Sequence, residues 1–188
     1  MEFTSGTAKQ LNSYNESTYI ELANYRYQVF VEKLGWELDT PEGFEKDQFD
    51  REDTVYIVSR DEEGAINGCS RLLPTHKPYL LGEVFPQLMN DFPLPCSKDI
   101  WEVSRLTTLD TKAAVGSKPD PKITTELAFK TLKVAKEHGA KHVVGVATLM
   151  IERLYRRLGL RCHRLGKPQI IDGYALVALS IDLQEQLG

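Results

Sequence analysis

Residues 122–159, KITTELAFKTLKVAKEHGAKHVVGVATLMIERLYRRLG, decide the fold class. Ile123, Leu127, Ala128, Thr131, Leu132 and Ala135 recur at helical spacing, and Gly139 is a natural residue to end that helix, so a helix is predicted over 122–138. The run HVVGVA at 142–147 reads as a buried strand, and 149–158 as a second helix closed by Gly159. Helix, buried strand and helix in direct succession place the strand inside a covered sheet, which is α/β architecture. Working outward, 100–107 is a further strand, and 54–59 and 65–73 form a hairpin across DEEG. A first helix starts at Ser17 or Thr18 and runs to about Val31, with Leu22, Ala23, Val29 and Phe30 on one stripe. GWELDTPEGFEKDQFDRED at 35–53 breaks all periodicity and reads as a long loop; 174–183 is a final strand. The expectation is a single domain over 1–188, a mixed sheet flanked by helices on both faces.

The chain has 188 residues, a formal charge of −4 and 41% hydrophobic residues, which suits a soluble domain and excludes disordered, collagen-like and coiled-coil chains. A chain this long buries roughly 70% of its unfolded surface, so neither disulfides nor a structural metal is required. Cys69, Cys96 and Cys162 are odd in number and lack C-x-x-C spacing, so they are expected reduced, with no metal site. The start MEFTSGTAKQLNSYNES lacks the order of a signal peptide, and no apolar run matches a membrane span, so a cytoplasmic protein is expected. The mild acidity disfavours nucleic acid as a partner. One local exception is ERLYRRLGLRCHRLGK at 152–167, with Arg153, Arg156, Arg157, Arg161, Arg164 and Lys167 around a single acid.

Several residues break their local pattern. Arg26 lies four residues from both Leu22 and Phe30, on the apolar stripe, where a guanidinium needs a carboxylate. Asp47 and Asp50 in DQFD are spaced so that one turn can present both to one cation. An ordinary salt bridge pinning the loop and a charged pocket for an amine or carboxylate ligand are compatible readings. Arg71 shares a strand face with Cys69 and Leu73, so it too needs an acid or a ligand carboxylate. Trp36 and Phe85 are loop aromatics, either core caps or ligand faces. In IWEVSRL, strict alternation puts Glu102 and Ser104 on one face and Arg105 on the other; only a β-bulge would reunite Glu102 with Arg105.

RYQVFVEKLGW (26–36), DQFD, GCSRLLPT (68–75), PYLLGEVFP (78–86) and IWEVSRL (100–106), in this order, resemble the N-acyl-homoserine lactone synthases, the LuxI-type autoinducer synthases. The likeness runs from about Tyr25 into IIDGYALVALSIDL near the C-terminus. It implies a fold similar to the Gcn5-related N-acetyltransferases, with the acyl chain in a V-shaped cleft between parted strands. The family's characteristic residues fall on Arg26, Phe30, Trp36, Asp47, Asp50, Arg71, Phe85, Glu102 and Arg105. Leu106 stands where many members carry phenylalanine.

The implied reaction joins S-adenosylmethionine, a substrate and not a cofactor, to an acyl chain carried on acyl carrier protein. The methionyl amine attacks the thioester; the methionyl carboxylate then closes the lactone and expels methylthioadenosine. The amine must first lose a proton, for which Glu102 is the candidate base. Backbone N–H groups with Ser104 would stabilise the tetrahedral oxyanion. Arg26, Asp47, Asp50, Arg71 and Arg105 would hold the curled methionyl chain, with Phe30 and Trp36 packing against the sulfonium and adenosyl groups.

Val146, Thr148, Leu149, Met150 and Leu154 are expected to line the acyl pocket. Thr148 either donates a hydrogen bond to an oxygen at C3 of the acyl chain or simply caps a helix. The 153–167 cluster, with Lys130, Lys133 and Lys136, would dock the acidic carrier protein; a merely solvated face is the alternative. Two rival functions are an acyl-CoA-dependent N-acyltransferase and a non-catalytic acyl or adenosyl sensor. Against the first, KAAVGSKPDPK at 112–122 lacks the Gly-rich pyrophosphate turn of CoA acetyltransferases. A monomer or weak dimer is expected.

Overall fold

A computed structural model describes residues 1–113 and 118–188. The chain runs β1 (Glu2–Gly6), α1 (Ala8–Tyr14), α2 (Thr18–Arg26), a π-helical segment (Tyr27–Lys33), β2 (Val55–Arg60), β3 (Ile66–Pro74) and α3 (Leu80–Glu83). It continues through a 3₁₀ turn (Pro86–Met89), β4 (Ile100–Thr107), α4 (Pro121–Glu137), β5 (His142–Thr148), α5 (Leu149–Arg157), β6 (His163–Arg164), β7 (Gln169–Ile171), β8 (Tyr174–Asp182) and α6 (Leu183–Leu187). The hydrogen-bonded order is β1-β2-β3-β4-β5-β8-β6, with β7 also on β8. It is a mixed sheet with flanking helices. No helix among the described residues is long and apolar enough to cross a membrane.

The chain divides into two compact units, residues Met1–Arg71 with Arg105–Thr131, and Leu72–Ser104 with Leu132–Gly188. In the first, β1 pairs antiparallel with β2 from Glu2↔Arg60 to Gly6↔Tyr56. Its core gathers Leu11, Leu22, Tyr25, Val29, Phe30, Tyr56, Val58 and Cys69. The first helix reaches Lys33, but only its first half is α. From Tyr27 the turns widen, as the Leu34 N–H bond to the Val29 carbonyl at 3.0 Å shows, an i→i−5 contact. The sequence reading also lacked β1 and α1. EFTSG has no alternating apolar face to announce a strand, whereas α1 carries a capping box in which Thr7 N–H donates to Gln10 Oε1 at 2.8 Å.

In the second unit, β5 pairs antiparallel with β8 over its whole length, from His142↔Asp182 to Thr148↔Leu176. A two-residue turn with left-handed Asp172 and Gly173 (φ 49° and 80°) joins β7 to β8. The parallel pairing of β4 with β5 is short: Ile100↔His142, Trp101↔Val143 and Glu102↔Val144. Among the described residues the ladder between β4 and β5 ends at Val144. At Gly145 the two strands still approach closely, since a Cβ at that position would lie 2.8 Å from the Val103 carbonyl oxygen. Of the stretch 112–122, whose sequence lacks the pyrophosphate turn, residues 114–117 lie outside the described residues.

Candidate active site

The first unit holds a closed ring of six alternating charges. Arg26 donates to Glu45 through Nε and to both oxygens of Asp50 at 2.8 and 2.9 Å. Arg71 Nη1 bridges Asp50 Oδ1 (3.1 Å) and Asp47 Oδ1 (2.6 Å). Arg105 Nη2 closes the circuit, meeting Asp47 Oδ2 and Glu45 Oε1, each at 2.9 Å. Three guanidiniums face three carboxylates, which is how full charges can be buried at all. Exposure is graded round the ring: Arg26, Glu45, Asp50 and Arg71 are at most 1% exposed, Arg105 6% and Asp47 17%. Solvent therefore reaches the ring at Asp47 and Arg105.

Local structure sets each member. Arg26 is the last α-helical residue before the π segment, flanked by buried Leu22 and Phe30 as the helical stripe predicted. Asp47 and Asp50 share a turn in which Asp50 N–H bonds the Asp47 carbonyl at 3.1 Å and Asp47 N–H bonds Asp50 Oδ2 at 2.8 Å. The shared cation of that turn is Arg71; Arg26 takes Asp50 but not Asp47, and its second acid is Glu45. Glu45 escaped the sequence reading, because it is one of many acids in an aperiodic loop. It is fixed by its own N–H, which bonds the Ala23 carbonyl at 3.1 Å. Tyr56 adds a further donor, its OH 2.9 Å from Asp50 Oδ1.

The electrostatics follow. Burial pushes the carboxyls of Glu45 and Asp50 up, but the surrounding guanidiniums outweigh it and hold both below the usual carboxylate range. Arg26 and Arg71, penalised by burial, are nonetheless raised by their acids. Burial and the Asp50 charge push the Tyr56 phenol far up, so it stays a donor.

An aromatic face adjoins the ring. Phe30 and Trp36 stack with centroids 4.8 Å apart, and Arg105 lies over both, 5.3 Å from Phe30 and 5.5 Å from Trp36. Phe30 is buried while Trp36 is 39% exposed, its backbone N–H donating to the Phe30 carbonyl at 2.9 Å. Arg105 itself has φ +55°, a left-handed residue inside β4. Strict alternation along IWEVSRL therefore holds only as far as Ser104, and the backbone irregularity sits on Arg105 itself.

The second unit carries Glu102, fully buried, whose oxygens accept the N–H groups of Leu80 (2.8 Å) and Leu81 (2.6 Å). The preceding turn is held by Tyr79, whose OH donates to the Pro95 carbonyl at 2.5 Å. Ser104 is buried two residues beyond Glu102, and Phe85, half-buried, precedes the 3₁₀ turn.

Val146 and Thr148 lie on β5 where its β4-facing edge is unpaired, and Leu149 and Leu154 on α5; all four are half-buried. Met150 stands apart, 73% exposed on the first turn of α5. Thr148 is the N-cap of that helix, accepting the Ile151 N–H at 3.2 Å. Among the described residues its hydroxyl proton has no acceptor. In the basic surface the six cations are not equivalent: Arg156 and Arg164 pair with Glu152, and Arg161 with Glu185, whereas Arg153, Arg157 and Lys167 carry no side-chain ion pair among the described residues.

The profile of the autoinducer synthase family matches residues 10–187. An acyl-homoserine-lactone synthase of Acinetobacter nosocomialis is 46% identical over 178 residues, covering 92% of this chain and 96% of that protein. The crystal structure of TofI in a ternary complex with an inhibitor and MTA superposes with a TM-score of 0.83 at 40% identity, covering 99% and 94% of the two chains. BjaI, a CoA-dependent acyl-homoserine lactone synthase with SAM and isopentyl-CoA, gives 0.85 at 26% identity, covering 98% and 84%. At 19% identity, a putative N-acetyltransferase from Lactobacillus plantarum (TM-score 0.60, covering 97% of both chains) shares the fold.

Proposed function

The chain belongs to the autoinducer synthase family, and from that premise we propose that it transfers an acyl group from acyl carrier protein to the amine of S-adenosylmethionine and closes the lactone, releasing methylthioadenosine. It is an acyltransferase-type enzyme, an acyl-homoserine-lactone synthase, so the binding-only sensor is set aside. The observation that carries the finer reading is the charge ring with its stacked aromatic pair. A zwitterionic amino acid bearing a sulfonium needs an anion, a cation and an aromatic face. Asp47, Arg105 and Trp36 supply them at the exposed side of an otherwise dry network.

The steps assign themselves by chemistry. Glu102 accepts the proton of the methionyl ammonium, directly or through one water. The amine attacks the thioester carbonyl, and the oxyanion draws on N–H groups of the unpaired β5 edge, with Ser104 nearby in sequence to Glu102. The thiolate of the carrier leaves. The methionyl carboxylate, held by Arg105 in a curled conformation, displaces the sulfonium from its own γ-carbon. No cofactor takes part; S-adenosylmethionine is consumed. Thr148, whose oxygen accepts the Ile151 N–H of the helix cap, would donate its proton to an oxygen at C3 where the acyl chain carries one.

A second donor is supported by a specific observation: BjaI, similar over nearly the whole chain, is CoA-dependent. The two are separated by supplying the purified enzyme with S-adenosylmethionine and one acyl chain on either carrier protein or CoA. The function itself is tested by mass spectrometry of medium from bacteria expressing the chain or its Glu102→Gln variant. Acyl-homoserine lactones from the first culture alone support it; none from either overturns it.

A further inference from the structure

The basic surface of the second unit is organised around one buried acid. Glu152, in the first turn of α5, has a side chain only 3% exposed and is gripped from two elements. Arg164 on β6 forks onto it, Nε to Oε1 at 2.9 Å and Nη2 to Oε2 at 2.7 Å. Arg156, one turn along α5, donates Nη2 to Oε1 at 3.1 Å. The hydrogen bonds from Arg164 above all hold the Glu152 carboxyl below its usual range, so it is an anion at neutral pH.

Its charge is the wrong sign for a surface that recruits an acidic protein, since it cancels one of the cations gathered there. What it supplies is order. Surface arginines are rotamer-rich, and immobilising them at the moment of association costs free energy that a pre-set fork avoids. The side chains of Arg156 and Arg164 remain 51% and 45% exposed, so they are held by Glu152 and still presented outward.

We propose that Glu152 is a positioning residue for the acyl donor, fixing Arg156 and Arg164 in the arrangement that an acidic acyl carrier protein engages. The inference rests on the carrier-protein reading above. It makes a prediction opposite in sign to that of net charge. Glu152→Gln leaves the surface one unit more positive, so steering alone lowers the KM for acyl carrier protein. Loss of positioning raises it, about fivefold, with kcat retained.

The experiment measures initial rates at saturating S-adenosylmethionine with one acyl chain on carrier protein and on pantetheine, which lacks the protein surface. The KM for the carrier-borne chain should rise, and that for the pantetheine thioester should change less than about twofold. Glu152→Asp, which keeps the charge but shortens the reach, should also raise the carrier KM, a result no net-charge account gives. A thermal melt guards the fold, because the released arginines can re-solvate where they stand. An unchanged or lowered carrier KM, an equal rise for both donors, or a collapsed melting point in both variants overturns the role. A wild-type enzyme that uses the pantetheine thioester or acyl-CoA but not the carrier overturns the carrier reading instead, and this role with it.

Discussion

Arg71 and Asp47 meet at 2.6 Å, yet one is sealed and the other open: the Arg71 side chain is 0% exposed and that of Asp47 17%. The pair joins the dry half of the ring to the half a ligand can reach. Members of the two halves should respond differently to neutralisation. Asp50→Asn leaves the sealed guanidiniums of Arg26 and Arg71 with one ring acid each, Glu45 and Asp47, and chemical denaturation should show a loss of about 3–5 kcal/mol. Asp47→Asn leaves its arginines with Asp50 and Glu45 as partners. It should cost about 1–2 kcal/mol and instead raise the KM for S-adenosylmethionine by about tenfold.

The ring also sets an acid limit. Glu45 and Asp50 have folded-state pKa values depressed below their unfolded ones. Such groups stabilise fully above the unfolded values, near roughly 4, and lose that contribution as pH falls through the folded ones. Urea midpoints should therefore be flat in this contribution from about pH 6 to 8 and fall below about pH 4. Asp50→Asn, lacking one of the two titrating acids, should show a shallower acid limb.

Glu102→Gln tests the proton acceptor. The amide keeps the size of the side chain but turns an N–H donor toward one of two backbone donors, at a cost of about 1–3 kcal/mol. Turnover should drop by about 10²- to 10⁴-fold, read as methylthioadenosine release, while far-UV circular dichroism stays native.

Gly145 should tolerate no side chain. An added Cβ would press on the Val103 carbonyl at 2.8 Å, and backbone cannot swing away as a side chain can. Gly145→Ala should cost about 1–3 kcal/mol in a melt and lower turnover with long acyl chains more than with short ones, since it disturbs β5 just past the end of its ladder with β4.

Much of this was legible in the sequence, for reasons that differ by residue. The α4–β5–α5 succession shows in its periodicity, and Arg26 stood out because a cation on an apolar stripe has few physical explanations. Glu45 could not be found that way: in GFEKDQFD nothing separates it from solvated acids until the loop folds back on the Ala23 carbonyl. The π turns after Arg26 leave no trace in composition, because YQVFVEK suits an α-helix equally well. The left-handed φ of Arg105 is likewise invisible, since no glycine or asparagine marks it. In the basic cluster sequence showed the charges and missed their pairing, which depends on the return of β6 beside α5.

A circuit in which each charge is shared by two neighbours leaves few routes for gradual change. Replacing any member alone takes one partner from each of two neighbours, and a compensated path needs coordinated substitutions at residues as far apart in sequence as Arg26 and Arg105. Neutral drift is closed to that half of the protein. On the proposed acyl-pocket assignment, change in the signal would fall to the other, where Val146, Leu149 and Leu154 are half-buried and uncharged. Descendants of such an enzyme would keep one amino donor and differ in the acyl chains they send.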